Sequence, residues 1–117
     1  MTELLPDTEA LIKRLQDYGV PHPVLELRFY RPRRWRFDLA WPQRKVAVER
    51  HGFGRHIKPK GFMDDRDKMN AAACLGWRVI ELTPQHLKPQ QIEMSVRTVL
   101  SALGMLDYKD AVHVDHR

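Results

Sequence analysis

The sequence carries a single cysteine, Cys74, in 117 residues. One thiol excludes an internal disulfide framework and a zinc site built from cysteines. Late in a helical stretch, Cys74 reads as a small buried hydrophobe rather than a nucleophile. Long apolar runs are also missing, since none approaches the roughly 20 residues that cross a bilayer. Residues 1–7 hold acids and a proline where a secretory leader has a basic start and an apolar run. Internal repeats, low-complexity tracts, a zinc-finger pattern and a base-reading recognition helix are absent as well. What remains is a soluble, cytoplasmic domain, expected as one unit over residues 1–104. Residues 105–117 show no period and are expected as a tail, frayed or used in self-association.

Charge is plentiful and uneven. Lys and Arg number 20 against 15 Asp and Glu, a net +5. Eleven of those basic residues but only two acids, Asp38 and Glu49, lie between Arg28 and Lys60, so this stretch is +9 and the remainder −4. Such a distribution suits either a solvated basic face or a side turned toward phosphates, and the placement of the two acids favours the second.

The patterning predicts a first helix over Asp7–Tyr18, capped by Asp7, with Leu11, Leu15 and Tyr18 on one face and Gly19 as the stop. A strand follows at Leu25–Tyr30. Trp35–Trp41 alternates, setting Trp35, Phe37, Leu39 and Trp41 on one side and Arg36, Asp38 and Ala40 on the other. Lys45–Arg50 is a further strand, and a glycine-punctuated basic loop runs from His51 to Gly61. Helix signals return at Phe62–Leu75, stopped by Gly76, and Trp77–Thr83 reads as a strand. Pro89 opens a last helix whose stripe is Ile92, Val96, Val99, Leu100 and Leu103. The order αβββαβα implies an α/β fold with a mixed four-stranded sheet between helices. Trp35, Trp41 and Trp77 at strand spacing are either core or base-stacking residues.

A hairpin closed by Gln43-Arg44 would set Pro42 against Lys45 and therefore Asp38 against Glu49. Opposed side chains have Cβ atoms about 4.5–5.5 Å apart, where like charges repel. The pair then shares a proton, pairs with arginines, or holds a cation. Ala40 and Ala47 flank it on the same face, and His51 falls there too, opposite Arg36. Two oxygen donors plus water and a phosphate suit Mg²⁺.

The stretch Trp35-Arg36-Phe37-Asp38-Leu39-Ala40-Trp41-Pro42 and the following Lys45-Val46-Ala47-Val48-Glu49 resemble the active-site hairpin of the PD-(D/E)XK nuclease superfamily. Phe62-Met63-Asp64-Asp65-Arg66-Asp67-Lys68-Met69-Asn70 and Gly76-Trp77-Arg78-Val79-Ile80 continue the likeness. In detail the sequence is similar to small phage and prophage endodeoxyribonucleases related to Holliday junction resolvases, over Glu26 to Thr83. The resemblance implies a restriction-endonuclease-like core, with Asp38 and Glu49 as ligands for Mg²⁺ or Mn²⁺ and the Arg50 carbonyl as a third. Where the superfamily usually has lysine, two residues after the glutamate, this chain has His51. It is a ligand, a base near neutral pH, or a sign of weakened chemistry.

In some branches the lysine has moved to the following helix. Lys68 is the candidate here, its alternative being an Asp64–Lys68 surface pair. Glu9 is either the first-helix glutamate of related resolvases or an ordinary first-turn acid. The implied partner is branched DNA in the cytoplasm, that of the host cell if the protein is phage-encoded. Arg31, Arg33, Arg34, Arg36, Arg55, Lys58 and Lys60 would grip its backbone, and paired cuts imply a homodimer. The competing readings are a mismatch or flap nicking enzyme of the same fold, a non-catalytic DNA-binding module derived from it, and a His-metal finger using His51, His56 and Asn70.

Overall fold

In the computed structural model, which describes residues 4–52 and 58–111, these patterns form an α/β fold with a mixed four-stranded sheet flanked by helices. Strands β1 (Val24–Arg28), β2 (Arg36–Trp41) and β3 (Val46–Arg50) make an antiparallel meander. Helix α2 (Pro59–Cys74) then crosses to β4 (Arg78–Leu82), which lies parallel to β3 at the sheet edge. Helices α1 (Pro6–Asp17) and α3 (Ile92–Ala102) cover the opposite face. A 3-10 turn at Pro84–Leu87 and a short α4 (Tyr108–Ala111) complete the described chain.

Two cores hold the layers. The larger joins Leu11, Ile12 and Leu15 of α1 and Val96, Val99 and Leu100 of α3 to Leu39, Trp41, Val46, Val48 and Leu82 of the sheet. The smaller contains Phe37, Ala40, Ala47 and Ala72, with Phe29, Trp77 and Val79 packed against it. Three alanines at that contact let α2 approach the sheet closely, and Ala72 is the only residue of α2 that is fully buried. The rest of α2 is therefore free to carry polar groups toward the sheet's open end.

The β2 alternation does not run through. Leu39 and Trp41 enter the larger core whereas Phe37 enters the smaller one. Leu25 and Leu27 of β1 divide the same way. Between them Glu26 has a backbone φ of +54° and falls opposite Asp38, between the pairs Leu25–Leu39 and Leu27–Phe37. A left-handed residue in mid-strand turns the ribbon over locally, so period-two reading from Phe37 to Leu39 fails. A side chain at such a φ costs about 1–2 kcal/mol, and the Glu26 carboxylate makes no hydrogen bond or ion pair among the described residues. Glu26→Gly should raise stability by about 1 kcal/mol, read as a higher denaturant midpoint with unchanged slope. A lowered midpoint would show that the glutamate contributes more than its backbone strain costs.

Other expectations shift locally. Pro6 takes the first turn of α1, so the cap position falls on Leu5, whose side chain has no acceptor, and Asp7 lies within the helix. Tyr18 is exposed, its hydroxyl donating to Glu93 of α3 at 2.8 Å. Pro89 lies in the turn before α3, which begins at Ile92. Cys74 is exposed rather than buried, since the last turn of α2 faces outward. Packing does not stop at Gly104. The Met105 N–H donates to the Leu100 carbonyl, Leu106 packs on the larger core, and the Asp110 carbonyl accepts from Arg97. Residues 112–117 lie outside the described residues.

Candidate active site

The β2–β3 ladder pairs Trp41 with Val46, Ala40 with Ala47 and Leu39 with Val48. The turn is one residue longer on each side than a two-residue loop, with Lys45 at φ +54°, but the register is the expected one. One step further it brings Asp38 against Glu49. There side chains replace backbone partners. The Asp38 N–H donates to Glu49 Oε2 at 2.9 Å, and the Arg50 N–H donates to Asp38 Oδ2 at 2.8 Å. Each carboxylate is thus held by the opposite strand.

The other oxygen of Glu49 accepts from the Lys68 ammonium, brought in by α2. These two side chains are 9% and 12% exposed, respectively, so the pair is largely removed from water. Burial pushes the Glu49 carboxyl above its ordinary value. The Lys68 hydrogen bond and charge and the Asp38 N–H oppose that shift without cancelling it. The Asp64–Lys68 surface pair does not form, because Asp64 accepts from Arg33 and from the Trp35 indole N–H.

His51 lies at the end of β3, its N–H donating to the Leu82 carbonyl at 2.7 Å. Its Nε2 is 3.0 Å from Glu81 Oε1. Glu81 stands beside Glu49 in the parallel β3–β4 register, on the same face. It was missed in the sequence because nothing local fixes how β4 slides along β3. Its one signal is parity with Val79 on the strand.

Asp38, Glu49, His51 and Lys68 line one open, polar cleft of about 360 Å³, together with Trp35, Arg36, Arg50, Gly61, Asp64 and Asp65. Behind it the Arg50 guanidinium reaches through to α1 and grips Asp7 (Nε–Oδ1 3.1 Å, Nη2–Oδ2 2.9 Å). Burial alone would push the Asp7 carboxyl up, but the Arg50 hydrogen bonds and charge and Thr8 hold it below the ordinary aspartate value. This cross-brace fixes the backbone whose N–H holds Asp38. Glu9 is exposed on α1 and does not line the cleft.

Arg31, Arg33 and Arg34 are exposed on the β1–β2 loop, Arg36 opens β2, and Lys58 and Lys60 are exposed where α2 begins. Of these only Arg36 lines the cleft; the two segments lead in the chain into its lining residues Trp35 and Gly61, and Arg33 pairs with Asp64 of α2. Arg55 and His56 lie outside the described residues. Trp41 is buried and Trp77 packs on the smaller core, whereas Trp35 lines the cleft.

Among the described residues no group of three or more His, Cys, Asp or Glu is gathered so as to hold a metal ion. Of the four carboxylates lining the cleft, Asp64 is taken by Arg33 and the Trp35 indole and Asp65 by Arg66, which leaves Asp38 and Glu49 as the donors suited to a hard divalent cation. They fit a Mg²⁺-type ion, which takes one or two carboxylates and keeps several waters. Asp38 Oδ1 accepts no hydrogen bond among the described residues, and Glu49 Oε1 accepts from Lys68 alone among them.

No family model matches the chain, and no solved structure matches it. It is 24% identical over 83 residues, 69% of its length, to uncharacterized proteins from two strains of Mycobacterium tuberculosis, CDC 1551 / Oshkosh and ATCC 25618 / H37Rv. The match spans 31% of the length of each of those curated relatives.

Proposed function

We propose that this chain is a divalent-metal-dependent, structure-selective endodeoxyribonuclease with a PD-(D/E)XK core, cutting four-way DNA junctions by phosphodiester hydrolysis. One observation carries the reading. Glu49 is buried at a strand end between the Asp38 backbone and the Lys68 ammonium, in a polar cleft that Arg36 and Arg50 also line. A purely structural ion pair has no need of a second carboxylate against it or of an open cleft.

In this reading Asp38 and Glu49 hold Mg²⁺ or Mn²⁺, which when bound lowers the pKa of a coordinated water and offsets phosphoryl charge. Lys68 places a cation where negative charge develops on the phosphoryl oxygens. Arg36 in the cleft wall, Arg31, Arg33 and Arg34 on one side and Lys58 and Lys60 on the other contact backbone phosphates and carry no sequence information. His51, steadied by Glu81, occupies the position usual for lysine while Lys68 supplies the cation from α2. Two symmetric cuts on a junction call for a homodimer acting in the cytoplasm.

The test is Mg²⁺-dependent nicking of a synthetic four-way junction. Asp38→Asn should lower the rate by about a thousandfold, the several kcal/mol that a metal clamp supplies. Junction affinity in EDTA should stay within about twofold, since phosphate contacts dominate binding. Undiminished cutting by Asp38→Asn would remove the assignment.

A further inference from the structure

Trp35 and Tyr30 belong to neither hydrophobic core, yet they are stacked into a row that starts inside one. Phe37 stacks on Phe29 at 4.0 Å and 7°, Phe29 on Trp35 at 6.4 Å and 17°, and Trp35 on Tyr30 at 6.0 Å and 22°. The row thus leads from the smaller core to the surface, where Tyr30 is 37% exposed. At its outer part the Arg33 guanidinium lies 4.0 Å from the Trp35 ring centroid. Asp64 holds both members, pairing with Arg33 and accepting the indole N–H at 3.2 Å. Asp64 thus braces the tryptophan and the arginine together, with the guanidinium lying over the ring at the partly exposed end of the row.

Core packing does not by itself account for this arrangement, because both aromatics lie outside the two core clusters. Single-stranded nucleic acid does call for it, since unpaired bases stack on aromatic rings and arginine guanidinium planes beside a basic track. Position strengthens the match. Trp35 lines the same cleft as Asp38 and Glu49. Trp35 and Asp38 are three residues apart, at most about 10–11 Å of chain. That is the length of about three stacked base steps of 3.4 Å.

Resting on the nuclease reading above, we propose that the Arg33–Trp35–Tyr30 surface is a docking platform for an unpaired nucleobase. It would hold a base within about three nucleotides of the phosphate presented to the carboxylates. The platform supplies the preference for branched over continuous duplex DNA, because a base in intact duplex is already stacked and has no free face.

The experiment uses the full chain in EDTA, so that no cleavage occurs, and DNA carrying 2-aminopurine either unpaired beside a branch point or within continuous duplex. The expected result is quenching of the unpaired probe on binding, with little change for the duplex probe. Trp35→Leu should abolish the quench and weaken branched-DNA binding by about tenfold, the loss of one stacked base. Its affinity for duplex should change by less than about twofold, while Trp35→Phe retains most of the quench. Matching thermal unfolding midpoints for the three proteins exclude a folding defect. Branched DNA that binds without quenching overturns the platform and leaves the nuclease reading standing. Equal losses on branched and duplex DNA in Trp35→Leu also overturn it. Binding to neither DNA removes both readings together.

Discussion

Lys68→Met destabilises the fold by about 3–5 kcal/mol at neutral pH, the cost of leaving a buried charge without its partner. The substitution keeps the volume of the lysine stem but removes the ammonium that accompanies Glu49. The carboxylate then sits at 7% exposure with only the Asp38 N–H to hold it. A domain of this size has about 5–15 kcal/mol in total, so the variant is marginal at body temperature. The dependence on pH has a definite sign. Burial already raises the folded-state value of Glu49 above that of the unfolded chain, so the folded state binds the extra proton. Stability therefore rises as pH falls through the folded value and is lowest above it. Without Lys68 the folded value climbs further, so the deficit of the variant shrinks on mild acidification. Urea titrations at a series of pH values measure this directly. A deficit that is flat with pH would mean that Glu49 is not the group left exposed to the penalty.

Glu49→Gln should do the reverse, sparing the fold and removing the chemistry. The amide oxygen still accepts from the Asp38 N–H or from Lys68. The lysine, on a flexible four-carbon stem at the edge of an open cleft, can carry its charge to water. A shift of a few degrees in unfolding temperature is about the most expected. Junction nicking in Mg²⁺ should nevertheless fall by about a thousandfold or more, because one of the two carboxylates proposed to hold the metal becomes neutral. Stabilisation by added Mg²⁺, which the proposed function expects of the parent protein, should vanish in the variant. A Glu49→Gln protein that nicks at the parental rate would return the Glu49–Lys68 pair to a purely structural role. The two variants together separate the roles, since the first reads the stability of the buried pair and the second reads the proposed metal chemistry.

The conformation of β1 shows where local pattern reading fails. Phe37, Leu39 and Trp41 have the spacing of a single face, and nothing in those residues announces that Phe37 belongs to a different core. The cause is Glu26 on the neighbouring strand, left-handed at φ +54°, which turns the ribbon over just where Asp38 must reach the cleft. Asp7 is a similar case. As a first-turn acid it fits the capping pattern, but Pro6 takes that turn and Arg50, 43 positions away, takes the carboxylate.

What the sequence by itself determined is whatever a short loop dictates. Helices α1 and α3 follow from their apolar stripes and glycine stops. The opposition of Asp38 and Glu49 follows from a turn of a few residues, because a tight connection leaves the hairpin little choice of register. What only the tertiary structure decided crosses longer gaps. The parallel register that sets Glu81 beside Glu49 and His51 depends on how α2 seats its alanine on the sheet, and no turn fixes that slide. Whether Lys68 meets Asp64 on its own helix or Glu49 on the sheet is likewise settled by burial. Asp64 lies at the surface, where Arg33 and Trp35 take it. Glu49 is buried beside a second carboxylate, and a carboxylate out of water demands the nearest cation far more strongly than an exposed one does.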